Sequence, residues 1–432
     1  MILPVRSIVD RYLPHIKNAS WSSVEAFSYP IFFIIATPFL MRHLGSQGYG
    51  LLMFVNAFAG LGVMANLGVG SATIKFVSSY RGENNLARAA ESVRSSLALS
   101  LVGSVTFGLL ILLVAPWLAR SAFTELGAKE DIVILLYLSI AVMTLQQIDS
   151  VFAAAMKGLE KFGQVARIEV IVRLFALIAM ILVARLFEAI LPVVIIQLIF
   201  TCIGVWLKSR GCEKLLGASV IQPLWIIESM GEVFSFSKWS WAQNLAGAVI
   251  GSGDRIIVGS ILGATALGAY TACLQIAQLI QAIPVAALQG LFPLLSRREQ
   301  RNNESSLLKR IYKHGIVVNW ALTVFLTSAV VIFAHAILGA WLGVSFADQY
   351  WKVLIVMGLS FALLSINVAP HYILLGSGQP KFVSVLNVGG GIAMLFAMAI
   401  LGPAYGLLGV ALSRGFYGLV VSMSYWKLLR WR

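Results

Sequence analysis

The chain has 432 residues, 59% of them hydrophobic and only 12% charged, with a mean hydropathy of +0.88. Soluble domains carry about 25% charged residues, so the composition excludes a soluble globular protein and implies one that crosses a bilayer. The net charge of +14 would suit a nucleic-acid partner only if the basic residues shared one patch, and their distribution along the chain argues against that.

The first 19 residues hold Arg6, Asp10, Arg11 and Lys17 without a continuous apolar core. That pattern predicts a cytoplasmic amphipathic segment and not a cleavable signal. Apolar runs of about 20 residues then recur, each long enough to cross about 30 Å of hydrocarbon as a helix. They lack the period-two alternation of membrane strands. Twelve spans are predicted, at 20–41, 50–70, 95–118, 132–156, 168–187, 189–207, 239–261, 266–293, 315–338, 351–373, 383–402 and 405–426. The expected fold is therefore an all-α integral membrane protein with two six-helix lobes. The N-lobe covers 20–207 and the C-lobe 239–426, joined by a cytoplasmic linker at 208–238 and followed by a basic tail at 427–432.

Sorting Lys and Arg by side gives 24 on the side of the termini, 5 on the opposite side, and 3 within spans. This is the positive-inside signature, and it places both termini in the cytoplasm. The charged stretches 75–94 and 296–314 fall in matching cytoplasmic positions, where they act as topology determinants or touch anionic lipid head groups.

Two phrases recur. Leu44-Gly45-Ser46-Gln47-Gly48-Tyr49 returns loosely as Leu262-Gly263-Ala264-Thr265-Ala266-Leu267-Gly268-Ala269-Tyr270, and Gly158-Leu159-Glu160-Lys161-Phe162 as Gly378-Gln379-Pro380-Lys381-Phe382, at offsets of 218 and 220. Six spans return the chain to its starting side, so the duplicated halves are parallel repeats about an axis along the membrane normal.

Catalytic motifs are missing. There is no G-x-x-x-x-G-K-[ST] phosphate loop and no H-E-x-x-H; the five histidines and three cysteines are scattered, and the outer loops hold few acids. No enzyme activity, metal or cofactor is expected, with Na+ or H+ left open as a coupling ion.

Charges inside spans cost about 2.5–3.5 kcal/mol each at mid-helix on insertion scales, so they mark function or pairing. Arg414 falls near the middle of span 12 and faces either a polar cavity or an ion-pair partner. Asp254 and Arg255, adjacent in span 7, point in different directions. Arg173 and Glu25 lie shallow on the cytoplasmic side, where Arg173 can snorkel. Asp149, one turn after Gln146, could hold a coupling cation or pair with Arg173. Gln275, Gln278 and Gln289, with Asn56 and Asn66 in the corresponding helix of the first half, suit a polar cavity wall or hydrogen bonding between helices. Pro30, Pro38, Gly251 and Gly390 are candidate hinges. Asp254, Arg255 and Arg414 have no evident charged counterparts in the first half, which weights the expected site toward the second lobe.

The run from Leu44 to Leu51 followed by Ala65-Asn66-Leu67-Gly68-Val69-Gly70 resembles the signature of the Wzx-type flippases for lipid-linked oligosaccharides, in the multidrug/oligosaccharidyl-lipid/polysaccharide exporter superfamily. Asp254-Arg255-Ile256-Ile257-Val258-Gly259 and Gly378-Gln379-Pro380-Lys381-Phe382 extend the resemblance, which covers about residues 20–426. It implies a central cavity that opens alternately inward and outward. The implied cargo is a polyprenyl-pyrophosphate-linked oligosaccharide (an O-antigen, exopolysaccharide or capsule repeat unit) moved from the inner to the outer leaflet of the bacterial cytoplasmic membrane. Arg414, Arg255 and Arg173 would be the cations that meet the pyrophosphate. A glycan polymerase or other assembly protein is the expected class of protein partner, and the chain is expected to be a monomer. The twelve spans and the lack of an arginine in span 1 depart from the lipid II branch. The rival readings are a cation-coupled drug exporter of the same superfamily and a membrane glycan polymerase or ligase.

Overall fold

The computed structural model describes residues 5–62, 66, 68–121, 129–225, 227–288, 305–377 and 379–429. Among these residues all regular structure is helical. In chain order the helices are α1 (Val5–Gly60), α2 (Val69–Gly82), α3 (Leu86–Ser121), α4 (Lys129–Gly158), α5 (Phe162–Phe187), α6 (Ile190–Leu216), α7 (Ile227–Leu288), α8 (Ser305–Leu342), α9 (Val344–Ser365), α10 (Val368–Gly376), α11 (Pro380–Val421) and α12 (Met423–Leu429). Eight helical segments among the described residues are long and apolar enough to cross a membrane.

The longest helices are bent at glycine. The non-helical dihedrals inside α1 and α7 fall at Gly45 (φ 69°, ψ 172°) and Gly263 (φ 83°, ψ 178°), which occupy the same place in the two copies of the repeated phrase. A residue with a Cβ is strained at such φ values, so glycine is the natural occupant. Gly406 (φ 59°) bends α11 in the same way, and Glu188 (φ 49°), at the matching position of the first half, turns the chain between α5 and α6. Divided at these bends, the helices accommodate twelve crossings.

Two crossings are interrupted where the sequence predicts continuous helix. α1 ends at Gly60 and α2 begins at Val69 after a left-handed Gly68, so the second crossing is broken and its helical continuation reaches Gly82. The stretch read as a charged loop from residue 75 is therefore largely helical. The tenth crossing breaks at Ile366–Asn367 between α9 and α10. Backbone groups freed inside a membrane must be satisfied by protein. Here the Asn319 amide donates to the carbonyls of Ser365 (3.0 Å) and Ile366 (2.7 Å), and the Tyr425 hydroxyl donates to Ile366 (2.6 Å).

The chain divides into two compact units. The first contains residues up to 45, 55–121 and on to 252. The second contains 46–54 and everything from 253. The first unit is packed around apolar side chains of α2, α3, α4 and α6, among them Ala72, Ala89, Val93, Phe152, Met156 and Leu216. Lipid tails are as apolar as these groups, so close van der Waals packing and hydrogen bonds between helices hold the unit together. A buried contact between the Thr73 and Ser96 hydroxyls (2.8 Å) is one such bond.

In the second unit the two copies of the repeated phrase touch. A Cβ on Gly50 would come within 1.8 Å of the Ala264 carbonyl oxygen, and a Cβ on Gly268 within 2.2 Å of the Ser46 carbonyl oxygen. The two contacts are reciprocal under the repeat offset. Only glycine allows backbones to approach so closely.

Candidate functional site

The first unit holds a cavity of about 250 Å³. α5 supplies Glu169 and Arg173 to its wall, one turn apart and so on one face. α6 supplies Gln197, Thr201, Gly204 and Lys208, again at helical spacing. α4 supplies Gln146 and Asp149, and α1 supplies Phe32, Phe33 and Asn56.

Six ionisable side chains form two linked groups. Lys208 is buried, and its Nζ donates to both Asp149 Oδ2 and Glu169 Oε1. Glu169 is also paired with Arg173 (2.7 Å). Arg173 reaches on to α1, where its Nη1 donates to the Glu25 carbonyl (3.0 Å) and to Ser28 Oγ (3.2 Å). The Glu25 carboxylate is held by Lys157 (2.8 Å). Three acids thus face three bases, and charges of both signs are paired, as burial demands. Two carboxylate oxygens, Glu25 Oε2 and Asp149 Oδ1, are nevertheless buried without a partner. Asn56 accepts a hydrogen bond from Gln197 (2.7 Å) at the same cavity.

The second unit contains a separate buried triad. Arg414 Nη2 donates to Asp254 Oδ2, Arg414 Nε donates to the Tyr270 hydroxyl (2.8 Å), and that hydroxyl donates to Asp254 Oδ2 (2.8 Å). The Asp254 side chain is fully buried, and the guanidinium also lies 5.0 Å from the centre of the Phe361 ring. Cation–π contact of this kind adds to the pairing. Gly415 and Gly418, next to Arg414, are closely packed against α9.

The structure brings together some of the residues singled out in the sequence and separates others. Asp149, Arg173 and Asn56 line the first cavity, with Glu25 joined to it through Arg173. Asp149 pairs with Lys208 instead of Arg173. Arg414 and Asp254 meet each other. Arg255 sits beside them in sequence, with its backbone N–H donating to Asp254 Oδ1 (2.7 Å) and its Nε buried without a partner. Asn66 donates to Gln147 (2.7 Å) and Ser150 (2.9 Å) on α4, fastening the broken second crossing to its neighbour. Gln275 donates to the Tyr49 hydroxyl (2.7 Å), and Gln278 is exposed. Gln289 lies outside the described residues. Of the hinge candidates, Pro30 and Gly251 are exposed, Pro38 is half-buried seven residues before the bend at Gly45, and Gly390 packs against Tyr417.

Glu169, Lys208 and Tyr270 were not singled out by sequence reasoning. Lys208 looked like the start of a polar linker, but α6 continues to Leu216 and carries it inward. The spacing Gln197-Thr201-Gly204-Lys208 was a legible signal, since it repeats a polar or small residue on one helical face across an apolar run.

Comparison with known proteins supplies the context for these sites. Residues 16–299, more than half of the chain, match the family model described as polysaccharide biosynthesis protein. A Shigella flexneri chain named as an O-antigen transporter is 22% identical over 406 residues, covering 92% of this chain and 93% of that one. A Haloferax volcanii chain named as a low-salt glycan biosynthesis flippase, Agl15, is 22% identical over 382 residues, covering 87% and 75%. Among solved structures, the lipid II flippase MurJ in an inward closed conformation superposes with a TM-score of 0.74 at 14% identity, over 95% of this chain and 87% of that one. An inward-facing MATE multidrug transporter of the MOP superfamily superposes with a TM-score of 0.73 at 13% identity, over 93% and 94%. At such identities the structural likeness speaks for the fold.

Proposed function

Because the chain belongs to the polysaccharide biosynthesis protein family, we propose that it is a flippase that carries a lipid-linked oligosaccharide across the membrane. The observation that carries this reading is the family match, reinforced by two relatives that span most of the chain and are both named for glycan transport. The finer reading is that a polyprenyl-pyrophosphate-linked repeat unit passes from the inner to the outer leaflet by alternating access. The positive-inside distribution supports cytoplasmic termini in a bacterial inner membrane.

Within this reading the site residues take distinct parts. Arg173 is the cation proposed for the diphosphate head in the first unit, supported by its place on the cavity wall; in the second unit Arg255 is proposed separately as an anion contact, supported by its unpartnered Nε. Arg414 acts through its pairing with Asp254, holding the elements of the second unit in register. Asn56, Gln197 and Gln146 supply neutral hydrogen-bonding groups suited to sugar hydroxyls, and Phe32 and Phe33 supply apolar surface. The three bases that match three acids around this cavity suit an anionic head better than a cationic drug, whose carrier would be dominated by acids.

The test is deletion in a host that assembles its glycan on a lipid carrier. The expected result is loss of surface glycan with accumulation of the lipid-linked repeat unit on the inner leaflet, and unchanged drug sensitivity. Single repeat units appearing on the cell surface would instead indicate a polymerase, and normal surface glycan would rule out the flippase reading.

A further inference from the structure

We propose that Asp149 is a proton-binding site of the first unit and that its protonation is linked to binding of the anionic diphosphate head. The substrate side of this inference rests on the flippase reading above.

The argument begins with geometry. The Asp149 carboxylate uses Oδ2 for Lys208, and its Oδ1 is buried with no partner. Both Asp149 and Gly204 line the 250 Å³ cavity, and a Cβ at Gly204 would stand 3.6 Å from Oδ1. The glycine therefore sets no side-chain atom against an unsatisfied carboxylate oxygen at the cavity wall. Leaving a buried charged oxygen unpaired costs free energy that a proton would relieve.

Charge balance supplies the link to an anion. The ionisable groups around Asp149 are Glu25 on α1, Lys157 on α4, Glu169 and Arg173 on α5, and Lys208 on α6. Together with Asp149 they sum to zero. A diphosphate brought to the Arg173 side of this cavity meets carboxylates of its own sign, and repulsion between like charges in a low-dielectric site raises proton affinity. Of the acids, Glu169 is doubly paired, with Lys208 and Arg173. Asp149 has one cationic partner, and Lys208 retains Glu169 if Asp149 becomes neutral. The step is simple: one proton adds to Oδ1, the carboxylate becomes a carboxylic acid, Lys208 keeps its charge and its bond to Glu169, and the cluster gains one positive charge as the anion arrives.

The test is calorimetric titration of inorganic pyrophosphate into the purified full-length chain in detergent, in buffers of different ionisation enthalpy between pH 6 and 8. Pyrophosphate itself titrates in this range, so its protonation in the free and bound states is followed by phosphorus NMR for each variant and subtracted. For the wild type, the expected result is up to one proton taken up per ligand beyond that contribution, and binding up to about tenfold tighter per unit fall in pH. Asp149→Asn should bind without the extra proton and without the excess pH dependence. Glu25→Gln, which alters the other acid with an unpartnered oxygen, should keep both. No excess uptake in the wild type, retention of it in Asp149→Asn, or its loss in Glu25→Gln alone would overturn the assignment. If Asp149→Asn does not fold, Asp149→Glu takes its place: it should keep the excess proton uptake with a displaced pH dependence, and a pH dependence identical to that of the wild type would overturn the assignment. None of these outcomes depends on glycan export, so failure here and failure of the flippase reading are separable.

Discussion

Arg414 shows how far a single charge can be interpreted from sequence. Its depth in an apolar run announces that it must meet a polar partner, and the sequence holds Asp254 among the candidates, but no spacing rule links residues 160 positions apart. The fold supplies the link, with Tyr270 as the third member. Removing one partner of such a buried pair costs about 3–5 kcal/mol, because the other charge is stranded. Arg414→Ala is therefore expected to lower the melting temperature of the detergent-solubilised protein sharply as well as to abolish export. The double variant Asp254→Asn, Arg414→Met should recover much of the stability, because it leaves no unpaired charge, while export stays impaired. Thermal melting of the purified variants, set beside a surface-glycan assay in cells, separates the two effects. Glu169 and Lys208 were missed for a different reason. Each lies at the edge of an apolar run, where charge is ordinary, and only the packing of α4, α5 and α6 turns them inward.

At the scale of elements, the apolar runs translate well into helices because a bilayer leaves the backbone no alternative to internal hydrogen bonding. What hydropathy does not register is where a crossing breaks. The break between α9 and α10 has no proline or glycine at its centre, and depends on Asn319 and Tyr425 from other helices to cap its carbonyls. The bends were more legible, since Gly45 and Gly263 sit in repeated phrases. Two kinds of glycine can be told apart by substitution. At Gly45 a Cβ would meet no neighbour, so Gly45→Ala suffers only backbone strain, about 1–3 kcal/mol. At Gly50 and Gly268 a Cβ collides with backbone oxygen, so Gly50→Ala and Gly268→Ala should destabilise more than Gly45→Ala, and by similar amounts to each other. Melting curves of the three single variants test this ordering.

For the molecule as a whole, duplication was readable, because repeated phrases survive without knowledge of contacts, while the expected sidedness rests on charge bias alone. The topology carries a direct expectation: alkaline phosphatase fused after Trp431 should be inactive, and a fluorescent protein fused there should fold and emit, since both report a cytoplasmic C-terminus. An active phosphatase fusion would reverse the assigned orientation. The distribution of polar groups was less readable. The sequence weights intramembrane charge toward the second half, but the charged cavity described lies in the first unit, because Lys208, which joins its acids, reads from sequence as the start of a polar linker. The glycine contact between the repeated phrases has a consequence of its own. Ser46 meets Gly268 as Ala264 meets Gly50, so the surface is self-complementary in the manner of an isologous dimer. Two separate copies of one half could make this contact as well as two halves of one chain do. Fusing them into a single polypeptide keeps that symmetry here while freeing each half to hold a different arrangement of charge.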